Sequence, residues 1–366
     1  IVLCLPYDMA KNTLTTDNAR DQHGNPAGIL EQANDLFDET VALRRELHKW
    51  PELGNHLPRT RDAVLAALQG LPLDITLHET TSGIAAMLTG DKPGDTVLIR
   101  GDMDALPMPE DTSLDFKSNI ENAMHACGHD THTSMLVGAA KLLSARKADI
   151  AGRVLFMFQP GEEGFNGASE MLNEGLLDVG TESPITGAYA IHSASNIPGG
   201  FVGLKGGTIM ASSDSMTITV KGRGGHASAP HFTLDPIPVA CEIVQALQTL
   251  VTRRVDAFDP GVITVTQIHT GTTSNVIPET AMINGTIRAV SERTRSLLHD
   301  GLRRVSEGIA AAHGMEVEVD LHIGYDVTVN NEDKASFAAD VATAVSGSRN
   351  VRIMDHPVMG AEDFSY

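Results

Sequence analysis

Apolar residues recur at helical spacing from Ile29 to Leu47 until Pro51 stops the pattern, which predicts an opening helix; Arg59 to Leu68 predicts a second. The period then changes. Thr96-Val-Leu-Ile-Arg100 is a short apolar strand running into Gly101-Asp-Met-Asp-Ala-Leu-Pro107, and Arg153-Val-Leu-Phe-Met-Phe158 is another, running into Gln159-Pro-Gly-Glu-Glu163. Between them, Met135, Leu136, Ala139, Leu142 and Leu143 form the buried stripe of a helix over Thr131 to Ala145. Gly187-Ala-Tyr-Ala-Ile191 is a further strand and delivers His192. Strands alternating with helices predict an α/β sheet whose working loops lie at the carboxyl ends of its strands.

After about Gly207 the pattern is different. Ser215 to Lys221 alternates as a strand, Pro236 to Val251 is helical, Val262 to Ile268 and Ala281 to Val290 are strands, Arg293 to Ala312 is helical, and Glu316 to Leu321 is a closing strand. That order is β-α-β-β-α-β, the ferredoxin-like arrangement. Asn331 to Tyr366 resumes a helix and loop with no core of their own, so the ferredoxin-like segment, residues 207–322, is expected as a domain inserted between residues 29–206 and 323–366. Residues 1–28 are polar and aperiodic over most of their length and are expected to form a poorly ordered extension outside the packed core.

A chain of 366 residues exceeds what one core usually supports, in keeping with two domains. No run of about 18 apolar residues is present to span a bilayer. The 47 acidic against 27 basic side chains leave a formal charge of -20, which repels phosphate backbones and anionic membranes and argues against both as partners. Cys4, Cys127 and Cys241 are too few and too widely spaced for a disulfide framework, and the first ten residues lack a basic start and sustained apolar run, so a cytoplasmic location is expected.

His125-Ala-Cys-Gly-His-Asp-Thr-His132 places three imidazoles and one thiol within eight residues at a strand-to-helix loop, the ligand types preferred by zinc and its first-row neighbours. The competing reading, a small core cysteine among helix-start polar groups, gives so dense a cluster little packing rationale. Glu162-Glu163 follows a strand between Gly161 and Gly164, where the backbone can turn tightly and aim both carboxylates at one point. Alone, such a pair is usually a solvated loop. Beside a metal, one carboxylate can serve as ligand and the other as general base. His192 ends a strand with nothing after it to pack the imidazole, which makes it a further candidate ligand. Asp102 and Asp104 can bind metal directly or orient ligand imidazoles from behind; a charged turn is the plain alternative. In the inserted segment, the glycine-rich Gly222-Arg-Gly-Gly-His-Ala-Ser-Ala-Pro230 holds out His226, which can donate to an oxyanion or be an incidental turn histidine. Asn275 and Arg288 are candidates for holding a substrate carboxylate, each otherwise an edge or turn residue.

These stretches resemble the aminoacylase and hippurate hydrolase group of dinuclear metallo-amidohydrolases, which includes the plant indole-acetyl amino acid hydrolases. The likeness runs in order from about residue 35 to 366, through Arg44-Arg-Glu-Leu-His-Lys-Trp-Pro-Glu-Leu-Gly54, Arg100-Gly-Asp-Met-Asp-Ala-Leu-Pro107, His125-Ala-Cys-Gly-His-Asp130, Gln159-Pro-Gly-Glu-Glu-Gly164, Gly224-Gly-His-Ala-Ser-Ala-Pro230, Ser274-Asn-Val-Ile-Pro278, Gly285-Thr-Ile-Arg288 and Met359-Gly-Ala-Glu-Asp-Phe-Ser-Tyr366. The resemblance implies a metallopeptidase-like catalytic domain with an inserted lid that dimerises. It implies Cys127, His129, Glu163 and His192 as ligands of two divalent ions (zinc, manganese, nickel or cobalt), with Glu162 as catalytic base. It assigns His226 to the scissile carbonyl, across a subunit boundary, and Asn275 and Arg288 to the substrate carboxylate. The expected substrate is an N-acyl amino acid; a dipeptidase or carboxypeptidase activity is the alternative. Similar proteins carry a last ligand histidine beyond the position of Tyr366, and His356 is not its match, so a catalytically impaired metal-binding homologue is a third expectation.

Overall fold

The computed structural model describes residues 2–5, 27–178, 183–195 and 197–366. The chain divides into two compact units, one of Ile1–Gly207, Val329–Asp355 and Tyr366, the other of Thr208–Thr328 and His356–Ser365.

The first unit is built on a mixed sheet with eight strands among the described residues, in the order Val351–Ile353, Val202–Leu204, Val2–Leu5, Ile185–Ile191, Lys92–Asp102, Ala151–Gln159, Ile84–Thr89 and Leu73–Leu77. Its three central members, Ile185–Ile191, Lys92–Asp102 and Ala151–Gln159, run parallel. Their carboxyl ends therefore share one edge, and the register sets Asp102 opposite Gln159 and Arg100 opposite Ala190. Expected to lie outside the packed core, Val2–Leu5 instead pairs antiparallel with Ile185–Ile191; Val-Leu-Cys-Leu is a short apolar run at the head of an otherwise polar stretch. The rest of that N-terminal extension, residues 1 and 6–26, lies outside the described residues.

The opening helical pattern is realised as two helices, Ala27–Asp35 and Phe37–Lys49, followed by Pro58–Leu68. Helix His129–Ala145 lays Leu136, Val137 and Ala140 against Phe156 and Phe158, which sit on the central strand Ala151–Gln159, buried from Val154 onward. Burying one such aromatic contributes about 1.5–3 kcal/mol, and Phe156→Ala would cost about 3–5 kcal/mol because the cavity cannot collapse onto a strand held on both sides.

The second unit has the expected ferredoxin-like form. Its antiparallel sheet runs in the order Gly261–Thr270, Thr280–Ala289, Asp214–Lys221, Glu316–His322, with helices Pro236–Arg254 and Glu292–Ala312 in the two crossovers. Alternation in Asp214–Lys221 turns Met216, Ile218 and Val220 toward a core shared with Ile243, Leu247 and Leu302. Both helices start on side-chain caps: Asp235 accepts from the Ile237 N–H and Ser291 from the Thr294 N–H. No helix among the described residues is long and apolar enough to cross a membrane.

Candidate metal centre

Parallel strands bring three of the motifs of the first unit together at the shared edge, and the loop that carries Cys127 joins them from the start of a helix. Asp102 is the last residue of its strand, Glu162 and Glu163 follow Ala151–Gln159, His192 follows Ile185–Ile191, and His129 opens helix His129–Ala145. The tight turns depend on glycine. Gly161 has φ 69°, and a Cβ there would lie 1.8 Å from Asn55 Oδ1; Gly128 has φ 91°, and a Cβ there would lie 2.3 Å from Ser193 Oγ.

One donor atom from each of Cys127, His129 and His192 lies within 4.8 Å of the others, and the same holds for His129, Glu162 and Glu163. Cys127 Sγ is 3.5 Å from His192 Nε2, and His129 Nε2 is 3.9 Å from both Glu162 Oε2 and Glu163 Oε1. Donors sharing one first-row ion at about 2.0–2.3 Å each must sit roughly 3–4 Å apart, so these separations suit shared ions.

The buried polar atoms supply an independent test of fit. Both ring nitrogens of His129 and Glu163 Oε1 are buried without a hydrogen-bond partner. The nearest carboxylate to His129 Nδ1, Asp104 Oδ1 at 3.4 Å, lacks hydrogen-bond geometry. Unsatisfied interior polar atoms of this kind cost about 1–3 kcal/mol each. An ion placed among them removes that cost, and thiolate, imidazole and carboxylate form a donor set that first-row divalent ions accept.

The aspartates orient this cluster. Asp104 accepts the backbone N–H groups of Glu162 at 2.9 Å and Glu163 at 3.0 Å, which aims the glutamate pair. Asp102 receives His132 Nδ1 at 2.6 Å and Arg100 Nη1 at 2.6 Å. Burial opposes its ionisation, but the Arg100 guanidinium with His129 and His132 prevails and holds the carboxyl well below the usual range. Burial likewise opposes a charge on His129, while Asp102 and Asp104 raise its pKa well above the ordinary value. Burial pushes up both the Cys127 thiol and the Glu163 carboxyl.

Sequence reasoning missed Ser193 and the true place of His132. Because the Ser193 N–H donates to His132 Nε2 at 2.8 Å, the His132 proton is on Nδ1, facing Asp102. Ser193 Oγ donates to the Cys127 carbonyl at 3.1 Å, fastening the Cys127 loop to the His192 loop. His192 Nδ1 lies 2.6 Å from the Ser193 carbonyl, which can only accept, so Nε2 keeps its lone pair toward Cys127. No sequence signal marks Ser193. His125 sits near His48, with ring centroids 6.3 Å apart, and is absent from the donor groups.

Within the second unit, His226 and Asn275 are neighbours. His226 pairs with Val276 in a short antiparallel ladder, and the Ala227 N–H donates to the Asn275 carbonyl at 3.0 Å. The Ser228 N–H donates to His226 Nδ1 at 3.1 Å, so in the neutral ring the exposed Nε2 carries the proton and is a donor. Arg288 lies on Thr280–Ala289, half-buried, its side chain without a hydrogen bond among the described residues but within the electrostatic reach of Asp214.

Residues 98–366 match the model of peptidase family M20/M25/M40. The chain is 38% identical over 341 residues to thermostable carboxypeptidase 1 of Saccharolobus solfataricus, spanning 92% of this chain and 84% of that protein. It is 35% identical over 338 residues to the hippurate hydrolase of Campylobacter jejuni, spanning 92% and 87%. Among solved structures, a Bacillus subtilis protein described as a dinuclear metal-binding peptidase of the M20 family aligns with a TM-score of 0.77 at 31% identity, over 91% of this chain and 85% of that one.

Proposed function

Because the chain belongs to peptidase family M20/M25/M40, we propose that it hydrolyses the amide bond of N-acyl amino acids, with Cys127, His129, Glu163 and His192 holding two divalent ions and Glu162 as general base. The observation that carries this reading is the set of orphaned interior donors on His129 and Glu163 amid converging ligand atoms. When bound, the ions supply Lewis acidity, lowering the pKa of the attacking water and drawing charge from the carbonyl.

The remaining work falls to the chain's own groups. Glu162 is buried beside the donors, its backbone fixed by Asp104, and is assigned to take the proton from the attacking water and return it to the leaving amine. His226, whose protonated Nε2 is exposed, is assigned donation to the carbonyl oxygen as it gains negative charge. Asn275 and Arg288 are assigned the substrate carboxylate, which Arg288 suits as a half-buried cation whose side chain makes no hydrogen bond among the described residues.

The carboxypeptidase relative keeps open a second reading, in which the acyl group is itself an amino acid and the substrate a short peptide. A panel of benzoyl-glycine, N-acetyl amino acids and dipeptides, assayed on metal-loaded protein, separates the two. The proposal expects a higher kcat/KM on the acyl amino acids. A preference for dipeptides would replace it with the second reading, and hydrolysis of none of them would defeat both.

A further inference from the structure

His48 belongs to the Arg-Arg-Glu-Leu-His stretch, to which no step of the hydrolysis assigns a role. It and Leu47 are the buried residues of helix Phe37–Lys49. Each ring nitrogen faces a carboxylate: Nδ1 is 2.9 Å from Asp130 Oδ2, and Nε2 is 3.3 Å from Glu110 Oε1. Ionised carboxylates only accept, so both nitrogens act as donors. The Asp130 bond raises the His48 pKa against the effect of burial, in keeping with a protonated ring.

Both carboxylates are tied down further. Glu110 accepts from Thr112 Oγ1 and from the Ser118 N–H, each at 2.6 Å, and Arg44 Nε lies 2.7 Å from Asp130 Oδ2. The Phe116 ring stands edge-on to His48 at 5.5 Å and packs under the guanidinium groups of Arg44 and Arg45, 5.2 and 4.9 Å from its centroid. Three segments distant in sequence thus meet at one imidazole.

Asp130 follows His129 in the first turn of helix His129–Ala145 and is fully buried. His192 is oriented by its own bond to a backbone carbonyl, whereas His129 has no such bond at either nitrogen. The direction of the His129 ring is therefore set through the backbone, and the nearest fixed side chain on that backbone is Asp130. We propose that His48 is a positioning residue of the metal centre, which by gripping Asp130 sets the helix turn that presents His129 and the adjoining Cys127. This inference rests on reading the Cys127, His129, Glu163 and His192 cluster as a metal centre.

The test is cobalt(II) titration of the whole chain against a competing chelator, with the near-ultraviolet and visible spectrum recorded at saturation, for wild type, His48→Gln and Arg44→Gln. His48→Gln should bind cobalt about tenfold or more weakly, in line with the usual cost of losing a group that orients a ligand. At saturation its thiolate-to-cobalt and ligand-field bands should shift, a change that mere loss of fold stability does not produce. Arg44→Gln should shift both readouts less and in the same direction, and it decides the matter if His48→Gln does not fold. Wild-type affinity and spectrum in a folded, saturated variant would overturn the positioning role alone. Failure of the wild-type chain to bind cobalt would overturn the metal-centre reading and this inference together.

Discussion

Each unit buries an aspartate at the end of a strand among cations and imidazoles, and the two differ in whether the groups around that aspartate are satisfied as well. In the second unit Asp214 receives Arg295 Nε at 2.9 Å and Nη2 at 2.6 Å, His299 Nε2 at 2.8 Å and the Gly324 N–H at 3.0 Å. The Asp214 oxygens are satisfied by protein. In the first unit Asp102 and Asp104 are satisfied too, but the histidine and glutamate they surround are left with orphaned atoms. A closed ion network serves the fold, whereas an open one costs stability until something external completes it. Burial and charge alone would have ranked the two clusters alike; satisfaction separates them.

That contrast can be broken most sharply at Glu162. Glu162→Gln should lower turnover by about 100- to 10,000-fold, the span of general-base contributions, while metal content stays that of wild type. A near-normal rate at full occupancy would mean that another group takes the proton. In the second unit the corresponding blow is structural. Arg295→Met leaves Asp214 buried without its main partner and should destabilise that unit by about 3–5 kcal/mol in denaturant unfolding. A loss below about 1 kcal/mol would show that the closed network contributes little.

Cys127→Ala should do the reverse of Arg295→Met. Metal affinity should collapse, while the metal-free protein should change in stability by less than about 1 kcal/mol, because no closed network is lost. A large loss of metal-free stability would put Cys127 with the structural residues. The smallest effect is in pH. Burial raises the Asp214 pKa, but its bonds to Arg295 and His299 outweigh this and depress the folded-state value. Its stabilisation is therefore complete above the unfolded pKa of about 3.9 and is lost as pH falls below it, at up to roughly 1.4 kcal/mol per pH unit. Asp214→Asn should flatten that part of the stability profile of the second unit; an unchanged slope would assign it to other carboxylates.

Much of this was legible in sequence because Asp102, the Glu162-Glu163 pair and His192 each end or follow an apolar strand, and parallel strands deliver their ends to one edge. The ferredoxin-like order was legible because its strands are long and alternate, as in Asp214–Lys221. Shorter or weaker strands left no signal: Ile84–Thr89 contains two alanines, and Val202–Leu204 and Val351–Ile353 have three residues each. Nor could periodicity reveal that Ser193 fastens two loops or that His48 grips Asp130, since those contacts join residues 66 and 82 positions apart. Spacing alone left the three neighbouring imidazoles equivalent, and only the resemblance singled out His129. The fold sets His129 and His132 both among the candidate donors, seats His132 Nδ1 on Asp102, and leaves His125 near His48 and outside them.

The most direct test of the open network as a metal centre is X-ray absorption at the metal edge of the zinc-loaded chain. The donor set predicts a sulfur scatterer at about 2.3 Å together with nitrogen and oxygen at about 2.0–2.2 Å, the sulfur vanishing in Cys127→Ala. A wild-type spectrum with only nitrogen and oxygen scatterers, or a sulfur signal that survives Cys127→Ala, would contradict it.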